Sequence, residues 1–375
     1  MSGHRYVDTA DALAEVVAAC RAQPLVAADT EAASFHRYVD RVYLIQLSTR
    51  QDTMVIDPLA IADLTPLGSL LADTNVEKVF HDADYDLRML DRDYGFRARR
   101  MFDTRIAAQL VGEPSIGLAA LLERFVGVKL AKTHQRADWS LRPLTAAMLA
   151  YAADDTRHLP ALQDALRQRL QSLGRLAWAE EEFVWLEGLR WSPPGEAGEA
   201  FLRIKGAKVL QPRCLAALRE LVAWRDGLAA EQDKATFRII GNESLLAVSQ
   251  ALPRSLEALS GIRELPGTLA RRHGPALVAA VGRAMALPEA DLPKRERGPR
   301  FAKDPEFDAR VERLKTARNG VAKQFGLDPG VLCGKSTLEV VARARPVDRA
   351  GLTRVDDLRR WQVDVLGDAL LAALA

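Results

Sequence analysis

The fold is decided by residues 24–57, which read PLVAADTEAASFHRYVDRVYLIQLSTRQDTMVID. The apolar runs 24–29, 42–47 and 53–57 have the length and composition of β-strands. Only Ser48–Asp52 separates the last two runs, and a gap that short predicts an antiparallel hairpin. The sequence therefore predicts a central sheet of mixed strand direction rather than a wholly parallel one.

Strands and helices continue to alternate after this stretch, which is typical of an α/β domain. Residues 78–81 and 101–103 are predicted strands, and a helix is predicted between them over residues 84–94. Beyond them the apolar residues recur at helical spacing. The predicted helical stretches are 106–110, 118–125 and 145–173.

Two stretches rich in Pro and Gly, Trp191–Gly198 and Leu292–Arg300, divide the rest of the chain. After each comes a long amphipathic helix followed by shorter ones, which suggests a tandem pair of helical modules. The predicted helices of these modules are 214–231, 243–251, 255–259, 275–286, 307–325, 337–345 and 358–375. We therefore expect a first domain over 1–190, a linker over 191–210, a helical domain over 211–291, a basic linker over 292–300 and a second helical domain over 301–375.

The composition is that of a folded protein without a membrane span. Of 375 residues, 48% are hydrophobic and 27% are charged, which excludes disorder as the main state. No apolar run reaches the length of about 18 residues that a membrane span needs, and we expect a cytoplasmic protein. Cys20, Cys214 and Cys333 are far apart, so neither a disulfide framework nor a zinc site is indicated.

The charges are distributed unevenly along the chain. Residues 1–200 contain 22 basic and 29 acidic side chains, whereas residues 201–375 contain 30 basic and 21 acidic ones. Acidic side chains can collect metal ions, and a basic module can hold a polyanion such as nucleic acid. The asymmetry suggests that the two halves have separate tasks, although such an excess is also compatible with a solvated surface.

Asp29 and Glu31 lie at the end of the first predicted strand. Because strand side chains alternate, the two carboxylates point to the same face, where their repulsion favours a bound cation. Mg²⁺ and Mn²⁺ prefer such oxygen ligands. A helix cap or a solvated turn would also account for this pair of residues.

Two more acidic motifs follow. His81-Asp-Ala-Asp-Tyr-Asp86 stands where a strand leads into a helix, a place where Asp is commonly a cap. In Tyr151-Ala-Ala-Asp-Asp155, the first and last residues share one helix face and Asp154 is turned away. Alone, Tyr151 reads as a core aromatic and Asp155 as a surface charge; the three motifs together depart from chance.

In order and spacing, these motifs resemble those of the DEDD superfamily of 3′–5′ exonucleases, in its tyrosine-bearing branch. The stretch Leu130-Ala-Lys-Thr-His-Gln-Arg-Ala-Asp-Trp139, followed by Arg142-Pro-Leu144, narrows the resemblance to the ribonuclease D family. The helical modules are similar to HRDC domains, the first through Ala223-Trp-Arg225 and Ile240-Gly-Asn-Glu-Ser-Leu-Leu246. The resemblance implies a ribonuclease H-like α/β exonuclease domain with a mixed sheet, followed by two all-α HRDC-type domains.

The resemblance also implies the chemistry. Asp29, Glu31, Asp86 and Asp155 would bind two divalent ions, Mg²⁺ or Mn²⁺, that assist hydrolysis of phosphodiesters at RNA 3′ ends and release 5′-mononucleotides. The choice of Asp86 over Asp82 and Asp84 depends on the family alignment. Tyr151 would orient the nucleophilic water, because a phenol of ordinary pKa about 10 is a poor base at pH 7. The expected partner is RNA, chiefly tRNA precursors. We expect the protein to be a monomer and not to associate with a membrane.

Several neighbouring residues are candidates for contact with RNA. Phe35 could stack on the terminal base, and His81 could contact the scissile phosphate or only close its turn. Gln46 could face the site, and Asp103 could support it from behind. The candidates for phosphate contact are Lys132, Arg136 and Arg142.

Two other functions remain open from the sequence alone. The motifs do not separate RNA from DNA, because that choice needs contacts to the 2′-hydroxyl, so a DNA-directed 3′–5′ exonuclease of the same fold is an alternative. A non-catalytic RNA-binding scaffold is another. The presence of all four carboxylates argues against the scaffold.

Overall fold

A six-stranded sheet lies at the centre of the N-terminal part of the chain in the computed structural model, which describes residues 3–131, 134–193, 197–293 and 304–375. The strands are β1 (Arg5–Val7), β2 (Leu25–Ala32), β3 (Val42–Ser48), β4 (Thr53–Ile56), β5 (Glu77–Phe80) and β6 (Met101–Asp103). Their order across the sheet is β1-β4-β3-β2-β5-β6. The predicted strands are all present.

The sheet is mixed, as the sequence predicts. β3 runs antiparallel to both of its neighbours, β4 and β2, whereas the pairs β1–β4, β2–β5 and β5–β6 are parallel. The short connection between β3 and β4 is the predicted hairpin. Strand β1 was not predicted, because three residues are too few to show an alternating pattern and its partner β4 is distant in sequence.

In the described residues of this N-terminal part, eight helices accompany the sheet. Residues 145–173, predicted as one helical stretch, form two helices with a break at His158, because Pro160 has no N–H to donate and favours a helix start. The helices are α1 (Ala10–Arg21), α2 (Thr65–Ala72), α3 (Asp84–Tyr94), α4 (Thr104–Val111), α5 (Leu118–Phe125), α6 (Ala146–Arg157), α7 (Leu159–Ser172) and α8 (Leu176–Glu187).

The described residues form two compact units. Unit 1 contains those of Met1–Ala32, Val42–Trp191 and Phe301–Ala375, and unit 2 contains those of Ala33–Arg41 and Ser192–Arg300. The nine-residue loop 33–41, which connects β2 to β3, therefore belongs to unit 2 although both strands belong to unit 1.

Unit 2 is helical. Its helices are α9 (Pro212–Glu231), α10 (Thr236–Ile239), α11 (Asn242–Ala251), α12 (Leu256–Ser260) and α13 (Gly267–Ala286). Helix α13 begins eight residues before the predicted start at Pro275, which lies inside it. The expected linker contains short 3-10 helices, and its Phe201, Ile204 and Leu210 are buried in the same core as α9.

The last helical set belongs to unit 1. It comprises α14 (Phe307–Phe325), α15 (Pro329–Leu332), α16 (Lys335–Ala344), α17 (Arg349–Thr353) and α18 (Arg360–Leu374). Its apolar residues join the core of the α/β domain. The Trp361 ring stacks on that of Trp178 in α8, with centroids 5.0 Å apart. The Arg175 guanidinium donates to the carbonyl oxygens of Leu110 at 2.8 Å and Phe325 at 2.6 Å.

Two further findings bear on the sequence expectations. In the described part of the chain, no helix combines the length and the apolar character that a membrane crossing requires. The three cysteines are all free thiols.

Candidate metal and catalytic centre

Strand β2 and helix α6 bring three carboxylates together. In the register of β2 with β3, Asp29 lies opposite Gln46 and Glu31 opposite Leu44, so both acidic residues face the same side of the sheet. Helix α6, which carries Asp155, is joined to β3 by a hydrogen bond of 2.8 Å between the hydroxyls of Thr156 and Ser48. Oxygen atoms of Asp29, Glu31 and Asp155 lie within 4.8 Å of one another.

Asp86 reaches β2 from the start of α3. The pairing of β2 with β5 ends at Ala27, and the buried carboxylate of Asp86 accepts hydrogen bonds from the Thr30 hydroxyl and, at 3.1 Å, from the Thr30 backbone N–H. Asp86 thus contacts the residue that lies between Asp29 and Glu31.

The other two acidic residues of this motif have different partners. Asp84 pairs with Arg88 at 2.7 Å, and Asp82 pairs with Arg105. The side chains of Asp82 and Asp84 are about half exposed, at 53% and 49%. Geometry therefore favours Asp86, a choice for which the sequence required the family resemblance.

Burial raises the pKa values of all four carboxyls, and repulsion from other members of the group adds to it for Asp29 and Glu31. Burial is the largest cause for each, and it raises the pKa of Asp86 and that of Asp155 to about 7. The pKa values of Asp29 and Glu31 lie well above their ordinary range because of burial and then the neighbouring carboxylates. A group of carboxylates, of which Asp86 is buried and the other three are partly buried, offers only oxygen ligands and fits hard divalent cations such as Mg²⁺ or Mn²⁺.

Tyr151 lies one helical turn before Asp155 and is held by aromatic contacts. Its ring centroid is 5.9 Å from that of His134 and 6.1 Å from that of Trp139, which is buried. Its hydroxyl forms a hydrogen bond with the Asp155 carboxylate. Burial and the nearby carboxylates raise the pKa of Tyr151 above its ordinary value, so the phenol keeps its proton at neutral pH.

His81 and Asp103 stabilise the turn that precedes α3. The His81 Nδ1 atom is 2.9 Å from the Thr104 hydroxyl, and burial lowers the pKa of His81 to about 4, so the ring is neutral at pH 7. The Asp103 carboxylate accepts a hydrogen bond of 2.7 Å from the Ala83 backbone N–H. It also accepts from the first turn of α4. These contacts match the turn-closing interpretation of His81 and the supporting role expected of Asp103.

Gln46 is a buried amide on the face of β3 that carries the site. It pairs with Asp29 across the two strands and has no exposed surface. Neither of its side-chain polar atoms has a hydrogen-bond partner among the described residues. A buried amide without a partner costs about 1 to 3 kcal/mol, so this position favours an additional ligand such as a bound water.

Arg142 was expected to contact phosphate, but its guanidinium donates its hydrogen bonds to acceptors within the protein. Its guanidinium contacts Asp57 at 2.5 and 2.8 Å and also donates to the carbonyl oxygens of Tyr43, Trp139 and Leu141, each at 2.8 Å. We therefore correct the expected phosphate contact of Arg142 to a structural role: it joins the segment before α6 to the end of β4.

The remaining candidates occupy different places. Arg136 is exposed on the segment between α5 and α6. Phe35 is in unit 2, on the loop after β2. Lys132 lies outside the described residues. His134 and Trp139 belong to the stretch that narrows the family resemblance, but nothing in their spacing predicts a ring contact with Tyr151.

Comparisons with known proteins identify the domains of this chain. Residues 4–171 match the family model described as a 3′–5′ exonuclease, and residues 215–281 and 307–374 match that of the HRDC domain. The chain is 32% identical over 372 residues to ribonuclease D of Gluconacetobacter diazotrophicus, covering 98% of this chain and 91% of that protein. It is 35% identical over 292 residues to ribonuclease D of Escherichia coli, covering 78% and 77% of the two chains.

Solved structures give the same result. The crystal structure of Escherichia coli RNase D, described as an exoribonuclease involved in structured RNA processing, matches with a TM-score of 0.73 and 29% identity. This match covers 99% of the present chain and 98% of the other. The catalytic core of RRP6 from Trypanosoma brucei matches with a TM-score of 0.67 and 30% identity, covering 76% and 81% of the two chains.

Proposed function

The chain belongs to the ribonuclease D family and is a 3′–5′ exoribonuclease, and from this premise we propose that it trims the 3′ ends of tRNA precursors. In this proposal it acts as a monomer, uses two divalent ions and releases 5′-mononucleotides. The observation that supports the proposal most strongly is the group of carboxylates that β2, α3 and α6 bring together.

We assign the binding of the ions to Asp29, Glu31, Asp86 and Asp155. Divalent ions bound there would lower the pKa of a water and stabilise the 3′-oxygen that leaves. Without the ions, the four carboxyls supply neither of these two effects. Activity should therefore depend strictly on the cation.

Tyr151 has a separate role in this mechanism. Its raised pKa keeps the hydroxyl protonated, so we expect it to orient the attacking water rather than take a proton from it. The contacts with His134 and Trp139 fix the ring, and the hydrogen bond to Asp155 fixes the hydroxyl. Tyr151→Phe should consequently reduce the rate by about 10- to 1,000-fold and leave metal binding, measured by calorimetry, nearly unchanged.

Contacts with RNA are assigned to residues around this centre. We propose that Gln46 bonds a water or a substrate hydroxyl that satisfies its amide, and that Phe35 stacks on a base. Arg136 and Lys132 are assigned to phosphates. We assign His81 to closing its turn, because the Thr104 hydroxyl donates to the Phe80 carbonyl oxygen at 3.1 Å and accepts from the His81 Nδ1–H, so the neutral ring has no second N–H for a phosphate.

One assay tests the reaction, its direction and the sugar preference. Matched 5′-labelled RNA and DNA, each with a free or a phosphorylated 3′ end, are incubated with Mg²⁺, with Mn²⁺ or with a chelator. We expect a ladder of shortening products from RNA with a free 3′ end, and no products with the chelator. A tRNA precursor with a 3′ extension should be shortened toward its mature end.

Each alternative predicts a different result. Equal shortening of DNA would indicate the DNA-directed exonuclease, and no products with any substrate would indicate the scaffold. Products that do not depend on a free 3′ end would contradict 3′–5′ polarity. Size-exclusion chromatography with light scattering checks the proposed monomer.

A further inference from the structure

Two exposed aromatic rings meet in unit 2 outside the carboxylate centre. Phe35, on the loop 33–41, is 43% exposed, and Phe237, in α10 of the first HRDC domain, is 54% exposed. Their ring centroids are 6.1 Å apart and the rings are nearly perpendicular, at 77°. Phenylalanine side chains are usually buried, so two adjacent rings that both keep about half of their surface in solvent form a possible contact surface.

The HRDC domain holds Phe35 in this position through backbone contacts. Arg238 Nε donates a hydrogen bond of 2.5 Å to the Phe35 carbonyl oxygen. The Ala235 backbone N–H donates to the His36 carbonyl oxygen at 3.2 Å. The conformation of the loop at Phe35 is therefore set by residues of the HRDC domain, and Phe237 belongs to the same short helix as Arg238.

A second set of contacts fixes the following residues of the loop. The Asp233 carboxylate pairs with the Arg37 guanidinium at 3.3 Å and accepts a hydrogen bond of 3.3 Å from the Tyr38 backbone N–H. Loop and domain are thus joined on both sides of His36. A surface organised in this way loses little conformational entropy when a ligand binds.

The charges around the rings favour an anionic ligand. Residues 33–41 and 232–238 contain four basic side chains and two acidic ones. The basic residues are Arg37, Arg41, Lys234 and Arg238, and the acidic residues are Asp40 and Asp233. Exposed aromatic rings within a basic surface are typical of sites for single-stranded nucleic acid, in which bases stack on the rings.

The chain connection limits how far this surface is from the carboxylates. Phe35 follows Glu31 by four residues, so their Cα atoms are separated by no more than about 14 Å, whatever the arrangement of the two units. An RNA whose 3′ end is at Glu31 can therefore reach Phe35 with its last few nucleotides.

We propose that Phe35 and Phe237 together form a base-stacking subsite for the single-stranded 3′ segment of the RNA. The subsite is shared between the loop that follows the first acidic motif and the first HRDC domain. This inference rests on the proposed function, because it assigns a binding site to the same RNA.

The test measures RNA binding by the full-length chain in the presence of a chelator, so that no hydrolysis occurs. A fluorescent single-stranded oligoribonucleotide of ten residues is titrated with wild type and with Phe237→Ala at several salt concentrations. Loss of one stacked base should weaken binding about 10-fold. The slope of log K against log salt concentration should stay unchanged, because a phenylalanine releases no counterions.

Two variants serve as controls. Phe237→Tyr keeps a ring and should bind within about twofold of wild type. Leu256→Ala removes another exposed apolar side chain of unit 2, 52% exposed, and should leave binding unchanged. The single variant Phe35→Ala and the double variant Phe35→Ala, Phe237→Ala complete a double-mutant cycle. The double variant should lose less binding free energy than the sum of the two single variants, because the two rings hold one base together.

Two results would overturn the subsite. The first is wild-type binding by Phe237→Ala, which would leave the rings as a surface for another kind of partner. The second is a loss of binding in Leu256→Ala as large as that in Phe237→Ala. Because binding is read without turnover, a failure of the RNA ladder assay would reject the proposed function separately, whatever the outcome here.

Discussion

The two HRDC domains of this chain match the same family model but are integrated differently. The second one, residues 307–374, shares the core of the α/β domain, where Trp361 stacks on Trp178 and its backbone N–H donates to Glu181 at 3.0 Å. The first one, residues 215–281, forms a unit of its own together with the loop 33–41. One helical module is therefore part of the scaffold of the carboxylate domain, and the other organises a loop that leaves that domain.

The difference shows that a shared fold does not fix the task of a module. What decides it is the surface that each copy buries. In the second domain Trp361 of α18 is only 4% exposed, whereas Phe237 of the first domain and Phe35 of the loop 33–41 stay about half exposed.

The largest expected effect tests the integration of the second domain. Trp361→Ala removes a buried aromatic from the core of unit 1 and should lower the free energy of unfolding of that unit by about 3 to 5 kcal/mol. Trp224→Ala is the matched change in the first domain, where Trp224 contacts His273. Urea unfolding followed by circular dichroism and by exonuclease activity should show that only Trp361→Ala shifts the loss of activity to lower urea. Equal shifts would remove the distinction between the two domains.

A somewhat smaller effect tests whether Arg142 is structural. Among the described residues, Arg142→Ala leaves the buried Asp57 carboxylate with Tyr6 as its one side-chain donor, at 2.5 Å. We expect a loss of about 2 to 4 kcal/mol in unfolding free energy, below that of a fully buried pair because the Arg142 side chain is 25% exposed. The salt dependence of RNA binding should not change. A shallower slope of log K for RNA binding against log salt concentration, with unchanged stability, would indicate that Arg142 does contact phosphate.

The smallest expected effect concerns the pH dependence of unit 1 without metal. The pKa of Asp155 is raised from 3.8 to about 7, so the folded chain binds a proton more readily than the unfolded chain does. Below about pH 4 this carboxyl therefore does not lower the free energy of unfolding. Above about pH 7 it lowers that free energy by its full amount. Asp155→Asn should stabilise the metal-free chain at pH 8 by on the order of 1 kcal/mol, and less at pH 5.

Asp154→Asn is the control for this measurement, since Asp154 pairs with Arg157 at 3.0 Å and its side chain is 44% exposed. Thermal unfolding in chelator at the two pH values provides the comparison. A stabilisation of Asp155→Asn that does not change with pH would show that titration of this carboxyl is not the cause.

Much of the fold and of the site was predictable because the signals are local. The strand pattern of residues 42–57 predicts the hairpin, and alternation along β2 places Asp29 and Glu31 on one face. The spacing of four residues places Tyr151 and Asp155 on one face of α6, with Asp154 paired elsewhere. Each of these predictions depends on geometry within a single element or a single turn.

The remainder depends on contacts between residues far apart in sequence, which periodicity does not encode. Arg142 looks like any exposed arginine until Asp57 is placed beside it. The stack of Trp178 on Trp361 joins α8 to α18, which are separated in the sequence by residues 192–300 of unit 2. The contact between Phe35 and Phe237 likewise requires the fold.

The central claim, that Asp29, Glu31, Asp86 and Asp155 form the catalytic centre, is tested most directly by comparing two substitutions two residues apart. Single-turnover hydrolysis of a 5′-labelled RNA is measured for Asp86→Asn and Asp84→Asn at saturating Mg²⁺. We predict that Asp86→Asn lowers the rate by about 1,000-fold or more and that Asp84→Asn stays within about twofold of wild type. Near-normal hydrolysis by Asp86→Asn, with the activity lost instead in Asp84→Asn, would contradict the assignment.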